Sequence, residues 1–177
     1  MVLKVLVVDD TIVYRKIVSD ILAELPEAKV IGTASNGKIA LTQVGTLKPD
    51  LLILDMEMPE MTGLEVLRAI KEQGIDVGVI VLSALTVRGG ALTMKALELG
   101  AFDFITKPDG ISPEESKKQL RTQLTGLIKA FGHSREIKSI LKGIPKPALG
   151  NRLPKPQNET VQAQSGVQTA VRREFLS

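Results

Sequence analysis

The chain has 177 residues, 44% of them hydrophobic, which is enough for one compact domain with a core and an additional segment. It contains no cysteine, no basic-then-apolar leader and no apolar run near the ~20 residues that cross a bilayer, so we expect a cytoplasmic protein. The net charge of +3 is uneven, because residues 1–132 carry 15 Lys and Arg against 17 Asp and Glu, whereas residues 133–177 carry 8 against 3. The basic character therefore belongs to the C-terminal segment.

Five short apolar runs, rich in Val, Ile and Leu, predict buried parallel strands. Between them, apolar residues recur at helical spacing and form stripes that can cover a sheet. Alternating strands and helices with short connections predict an α/β fold with a doubly wound, five-stranded parallel sheet. The five runs are 4–8, 30–34, 51–54, 77–82 and 104–106.

Several residues signal the ends of helices. The segments 62–65 and 112–115 both have the Ser/Thr-x-x-Glu pattern of a capping box at a helix N-terminus. Gly74 and Gly100 follow helical stripes at positions where a left-handed residue closes a helix. We expect the last helix to end near Gly132.

The segment after this helix has the composition of a linker. Four prolines lie within a dozen residues, and the stretch 157–169 is polar with almost nothing to bury. We therefore divide the chain into a folded domain over 1–132 and a basic, proline-rich linker or tail over 133–177. The prolines are Pro145, Pro147, Pro154 and Pro156.

Polar side chains end four of the five predicted strands. They are Asp9-Asp10, Asp55, Ser83 and Lys107, and each alone has an ordinary interpretation as a helix cap, a turn residue or a loop residue. Because the carboxyl ends of parallel strands meet at one edge of a sheet, these side chains are expected to converge.

Three converging carboxylates would repel each other unless a cation lay between them. The candidate ligands are all oxygens, with no Cys or His nearby, and this set favours Mg²⁺ over zinc. A cation together with a lysine can neutralise a phosphoryl group, and a carboxylate between them can act as its nucleophile. The strand ends therefore predict phosphoryl chemistry.

The ordered motifs resemble the receiver family of two-component response regulators over about residues 1–132. They are Val-Val-Asp9-Asp10, Leu-Asp55-Met-Glu-Met-Pro59, Ser83-Ala84 and Lys107-Pro108. The resemblance implies a flavodoxin-like (CheY-like) fold in which a histidine kinase phosphorylates an aspartate and the domain switches state. Such a receiver catalyses its own phosphotransfer and dephosphorylation.

The resemblance also implies a role for each motif residue. Asp55 would be the phosphoacceptor, and Asp9, Asp10, Asp55 and the backbone carbonyl of Glu57 would hold Mg²⁺ directly or through water.

Three further roles follow from the same resemblance. Lys107 would pair with the phosphoryl oxygens, and Ser83 would donate its hydroxyl to them. Phe104 would be the aromatic switch residue, whose ring moves inward as Ser83 moves.

A closer resemblance joins Ser83-Ala-Leu-Thr86, Gly89-Gly90 and the run from Gly100 to Pro108 to the regulatory half of CheB-type chemotaxis methylesterases. Those proteins demethylate and deamidate chemoreceptor side chains through a separate esterase domain that the receiver restrains until it is phosphorylated. No glycine-flanked serine nucleophile follows Gly132, and a catalytic triad would need the only histidine, His133, to which we assign no role. We therefore expect the esterase domain to be absent from this chain.

The partners implied are a CheA-type histidine kinase and, through the esterase domain, chemoreceptors. We expect a monomer that neither enters a membrane nor binds nucleic acid.

Three alternatives stay open at this point. They are a stand-alone CheY-like receiver, the receiver of a DNA-binding response regulator with a basic arm, and a flavodoxin-like enzyme that binds a phosphate. The third would need a glycine-rich or hydroxyl-rich phosphate loop, where this chain has Asp9-Asp10.

Overall fold

A computed structural model describes residues 1–84, 86–109 and 112–143, apart from the side chain of Val87. The predicted linker or tail covers 133–177; its residues from 144 onward lie outside the described residues, and the linker there stays a prediction.

Five parallel strands form one sheet in the order β2-β1-β3-β4-β5, which confirms the predicted fold class. Each predicted run lies within or overlaps a strand, and most strands are one or two residues longer at an end. Because the chain runs outward in both directions from the β1/β3 pair, the carboxyl ends of these two strands flank the crevice where such sheets bind ligands. The strands are β1 Leu3–Val8, β2 Ala28–Ala34, β3 Leu51–Asp55, β4 Gly78–Ala84 and β5 Asp103–Lys107.

Helices cover both faces of the sheet because successive side chains along each strand point to opposite sides. In β1, Val5 and Val7 join a core beneath α1 and α5, whereas Leu6 and Val8 join a second core beneath α2, α3 and α4. Within the described residues, no helix has both the length and the apolar character needed to cross a membrane. The helices are α1 Ile12–Ala23, α2 Gly37–Leu47, α3 Gly63–Glu72, α4 Val87–Glu98 and α5 Pro113–Gly143.

The predicted helix signals act as expected. Thr62 and Glu65 form a complete capping box at the start of α3, and Ser112 Oγ accepts the Glu115 N–H at 3.2 Å at the start of α5. After α3 and α4, the chain turns at glycines with φ of +63° and +101°, a region in which glycine pays no Cβ penalty. They are Gly74 and Gly100.

The predicted end of the last helix near Gly132 is wrong, because α5 continues to Gly143. Phe131 packs against Gly78 so closely that a Cβ on that glycine would lie 2.2 Å from the ring. One turn later, Arg135 donates to the backbone carbonyl of Asp50 at 3.3 Å and lies 3.6 Å from its carboxylate. These contacts anchor the helix across a glycine that by itself disfavours helix, so tertiary packing outweighs the local signal.

Candidate functional site

The predicted site residues lie at the carboxyl edge of the sheet. Asp9 follows β1 directly, Asp55 is the last residue of β3, and Lys107 is the last residue of β5. Ser83 lies one residue before the end of β4, whose neighbour Ala84 pairs with Lys107 in the parallel register. The strand order therefore brings residues from four separate motifs to one place.

Three carboxylates form the floor of the site. Oxygens of Asp9, Asp10 and Asp55 all lie within 4.8 Å of one another. Asp9 is fully buried and Asp55 is 3% exposed, whereas Asp10 is exposed. The cluster thus has two solvent-shielded carboxylates and one that faces water.

Lys107 is the counter-charge of the two buried acids. Its Nζ lies 2.7 Å from Asp9 Oδ2 and 3.0 Å from Asp55 Oδ2, and its side chain is only 14% exposed. A buried ion pair is favourable only when its charges are well matched, and here one cation faces three carboxylates. The site therefore keeps an excess of negative charge.

The electrostatics set the protonation of the central pair. Burial raises the pKa of Asp55 to about 6, while Lys107 opposes this rise and Asp9 adds to it. For Lys107, burial disfavours the ammonium, but attraction to Asp55 and Asp9 outweighs burial and raises its pKa. At neutral pH the lysine is therefore a cation, and Asp55 is held close to its own titration range.

The backbone around the acids is fixed by local hydrogen bonds. Asp9 Oδ1 accepts the N–H of Thr11 at 2.8 Å, and Arg15 donates to the carbonyls of Asp9 and Asp10 at 2.6 and 3.1 Å. The N–H of Glu57 donates to Asp55 Oδ1 at 3.3 Å, which turns the chain at Glu57 around the acceptor carboxylate. The role of the Glu57 carbonyl as a ligand stays a prediction.

The cluster fits a divalent cation bound by oxygen ligands. Asp9 Oδ2 is buried. Among the described residues, its one polar partner is the Lys107 ammonium, with which it forms an ion pair. An oxygen of this kind has lone pairs for a cation, and the excess of carboxylates supplies the charge that a cation would balance.

Among the described residues, neither Ser83 nor Phe104 has a side-chain hydrogen bond to the three acids. Ser83 is buried, and its hydroxyl donates to the backbone carbonyl of Gly89 at 3.1 Å, an oxygen that also accepts from Thr93 Oγ1 at 2.9 Å. The side chain of Phe104 is 42% exposed. The serine is therefore engaged by α4, and the aromatic ring lies on the surface.

Two contacts of the site were missed in the sequence. The ring centroid of Tyr14 lies 4.4 Å from Lys107 Nζ, and Arg15 holds the acidic loop through its carbonyls. Both residues are in the first turn of α1, which begins two residues after Asp10. This short connection could have predicted both contacts from the sequence, because it places the first turn of α1 beside the carboxyl end of β1.

Comparison with known proteins agrees with this geometry. The family model described as "Response regulator receiver domain" matches residues 5–121. The chain belongs to this receiver family. The matched residues include most of β1, the other four strands, α1 to α4, the first part of α5 and every predicted site residue.

Several proteins similar to this chain share one name. The chain is 54% identical over 129 residues to a protein-glutamate methylesterase/protein-glutamine glutaminase of Desulfotalea psychrophila, a match that covers 73% of this chain and 35% of the relative. A Bacillus subtilis protein of the same name is 42% identical over 164 residues, covering 87% and 45%. The response regulator domain of Thermotoga maritima CheB superposes with a TM-score of 0.66 at 40% identity, covering 73% of this receiver and 96% of that domain.

These matches confirm the resemblance to CheB-type receivers. The receiver chain spans about a third to a half of the length of the curated relatives it matches.

Proposed function

We propose that Asp55 accepts a phosphoryl group from a phosphohistidine of a CheA-type histidine kinase. The observation that carries this proposal is the buried Asp55 carboxylate, paired with Lys107 at 3.0 Å and clustered with Asp9 and Asp10 at the switch point of the sheet. A carboxylate in that position has a nucleophilic oxygen, a fixed cation and a neighbouring acidic pair. These are the components that phosphoryl transfer needs.

Mg²⁺ is the cofactor that the donor set supports. Asp9, Asp10, Asp55 and the carbonyl of Glu57 would hold it, because all four donors are oxygens and no Cys or His lies in the cluster. When bound, the ion would neutralise charge on the phosphoryl oxygens.

The transfer is a single displacement at phosphorus. An Asp55 oxygen attacks the phosphorus in line and the P–N bond of the phosphohistidine breaks. The electron pair stays on that ring nitrogen, and the imidazole leaves neutral because its other ring nitrogen carries a proton. The product at Asp55 is an acyl phosphate, a mixed carboxylic–phosphoric anhydride. Lys107, cationic at neutral pH, stabilises the negative charge on the transferring oxygens.

The new charge then changes the partners of Ser83. Roughly two negative charges on Asp55 attract the Ser83 hydroxyl, which in the unphosphorylated state donates to Gly89 in α4. When Ser83 leaves Gly89, α4 loses a contact with β4, and space opens for the exposed Phe104 ring to move inward. Phosphorylation thereby shifts the population of the α4–β5–α5 surface.

The output we propose is control of a protein-glutamate methylesterase/glutamine deamidase. The relatives that carry this name are longer than the chain, so the receiver would act on a catalytic domain joined to it or supplied separately. The unphosphorylated receiver restrains that domain, and phosphorylation releases it toward chemoreceptors. With this output, we propose a cytoplasmic location.

Phosphorylation of Asp55 can be tested with acetyl phosphate and Mg²⁺, with intact mass and peptide mapping as the readouts. We expect one phosphoryl group on Asp55, none in Asp55→Asn and none when EDTA replaces Mg²⁺. Asp20→Asn is a matched control, because Asp20 lies on α1 away from the site and pairs with Lys16. Phosphorylation of Asp55→Asn at the parent rate would refute the acceptor assignment.

The output can be tested separately by adding the receiver to the isolated catalytic domain of the Desulfotalea psychrophila relative. We expect the unmodified receiver to inhibit hydrolysis of methylated chemoreceptor, and beryllofluoride with Mg²⁺ to relieve the inhibition. Equal hydrolysis with and without the receiver would contradict the proposed output and leave the acceptor assignment intact.

A further inference from the structure

We propose that Tyr14 is a positioning residue that holds the Lys107 ammonium in place by a cation–π contact. It would do so while Asp9 binds the cation and Asp55 is phosphorylated. This inference rests on the proposed phosphorylation of Asp55 and deepens it. Tyr14 Cα belongs to α1, and its ring reaches the end of β5.

The contact has the geometry of a cation–π interaction. Lys107 Nζ lies 4.4 Å from the centroid of the Tyr14 ring, within the ~6 Å over which the face of an aromatic ring attracts a cation. The lysine side chain is 14% exposed, so water competes little for the ammonium. Cation–π contacts are stronger under such desolvation than at exposed sites.

The ring itself is held from two sides. Tyr14 is partly buried and packs against the core beneath α1 and α5. Its hydroxyl donates to the backbone carbonyl of Pro108 at 3.3 Å, which is long for an O–H···O bond and therefore weak. Packing thus fixes the ring, and the hydroxyl adds only a minor restraint.

The other partners of Lys107 are the groups that the chemistry occupies. Asp9, at 2.7 Å, is a proposed ligand of the cation, and Asp55, at 3.0 Å, becomes an acyl phosphate on phosphorylation. A divalent cation and a phosphoryl group therefore each compete for one of the two carboxylates. The face of Tyr14 takes part in neither event, so it can keep the ammonium beside the reacting oxygen throughout.

The ring and the hydroxyl can be separated by substitution. Tyr14→Phe keeps the ring, and we expect its rate of phosphorylation by acetyl phosphate at saturating Mg²⁺ to stay within about twofold of the parent, because the hydroxyl bond is weak. Tyr14→Leu removes the ring, and we expect its rate to fall about 5- to 30-fold, the range that corresponds to a desolvated cation–π contact. Thermal unfolding of both variants shows whether the leucine variant is folded.

A packing role and a cation–π role are distinguished by fluorinated phenylalanines at position 14. Successive fluorines leave the ring nearly unchanged in size but withdraw electron density from its face. We expect the logarithm of the phosphorylation rate to fall steadily with the number of fluorines, starting from the rate of Tyr14→Phe. A flat series, or parent-like rates for Tyr14→Leu, would overturn the inference.

A readout without metal or phosphate is the NMR signal of the Lys107 ε-methylene group in protein treated with EDTA. The ring current of Tyr14 should shift this signal upfield in the parent and in Tyr14→Phe, and the shift should disappear in Tyr14→Leu. An unchanged signal in Tyr14→Leu would also contradict the contact. In the same assays, loss of phosphorylation in Asp55→Asn but not in Tyr14→Leu would defeat this inference alone, whereas phosphorylation of Asp55→Asn would defeat the proposed function.

Discussion

At the scale of single residues, Asp55 combines two opposed requirements. A nucleophilic carboxylate must be ionised, yet this one is 3% exposed and close to Asp9, and both conditions disfavour its charge. Lys107 offsets only part of the cost, so the pKa of Asp55 rises from 3.8 to about 6. Without a bound cation, the ionised acceptor therefore lowers the stability of the fold.

Because ionised Asp55 destabilises the fold, we expect Asp55→Asn to be more stable than the parent, by an amount that depends on pH. Because the folded-state pKa of about 6 lies above the unfolded value of 3.8, ionisation of Asp55 destabilises the fold as pH rises through this window, and the penalty is complete above it. At pH 8 in EDTA, Asp55→Asn should have a free energy of unfolding higher by about 3 kcal/mol, and the difference should shrink toward zero near pH 4. Urea unfolding at pH 8, 6 and 4 measures it.

Added Mg²⁺ serves as the control for this prediction. It should stabilise the parent more than Asp55→Asn, because the variant lacks one of the proposed ligand carboxylates. A stability difference that is the same at pH 8 and pH 4 would show that titration of Asp55 is not its source.

At the scale of elements, α4 contacts the predicted switch residue Ser83 through the backbone carbonyl of Gly89. The Gly89 carbonyl accepts from Ser83 and from Thr93, and the Gly89 N–H donates to the side chain of Thr86 at 2.8 Å. The first turn of α4 can approach β4 this closely only because residue 89 has no side chain. A Cβ there would lie 2.2 Å from the carbonyl oxygen of Ala84 and 3.0 Å from Ser83 Oγ.

Substitution of two adjacent glycines in this turn should therefore have different effects on stability. Gly89→Ala should lower the free energy of unfolding by about 1–3 kcal/mol, because the methyl group forces α4 away from β4. Gly90→Ala is the matched control, since a Cβ at this exposed glycine meets nothing within 4 Å. Its greater helix propensity should leave the stability unchanged or raise it by up to about 1 kcal/mol. Equal effects of the two substitutions in urea unfolding would contradict the close approach.

At the scale of the whole molecule, α5 extends the folded unit beyond the predicted domain boundary at Gly132. Its last turns are held at the end of the sheet opposite the acids, where Arg135 lies over the Phe131 ring at 5.9 Å and contacts Asp50. Glu136 lies 3.9 Å from the N-terminal amine of Met1. Residues 133–143 therefore belong to the folded receiver.

The fragment 1–132 should accordingly be less stable than the fragment 1–143. We expect a loss of about 1–2 kcal/mol in the free energy of unfolding, because a partly exposed cation–π contact contributes about 0.5–1 kcal/mol and a long hydrogen bond of 3.3 Å contributes about the same. Arg135→Ala in the longer fragment should reproduce most of this loss, whereas Lys138→Ala, an exposed position of the same helix, should not. Identical urea midpoints for the two fragments would contradict this account of α5.

Much of the fold and site follows from the sequence, because the patterns involved are local. Short continuous apolar runs, the capping box at Thr62 and the glycines after α3 and α4 act within a few residues of themselves, and their predicted positions agree with the structure. The strand-end rule similarly placed Asp9, Asp55 and Lys107 together, since it depends only on the order of elements.

The tertiary structure decided what depends on residues far apart in the chain. The continuation of α5 rests on the contact of Phe131 with Gly78 in β4 and that of Arg135 with Asp50, just before β3, and no signal near Gly132 records those contacts. The Tyr14 ring over Lys107 joins positions 93 residues apart, and the Ser83–Gly89 bond depends on how closely α4 approaches β4. The sequence by itself determined that the strand-end acids and Lys107 lie at one edge of the sheet. Three-dimensional packing determined which other residues join them and which side chains touch, because contact distances depend on the whole fold.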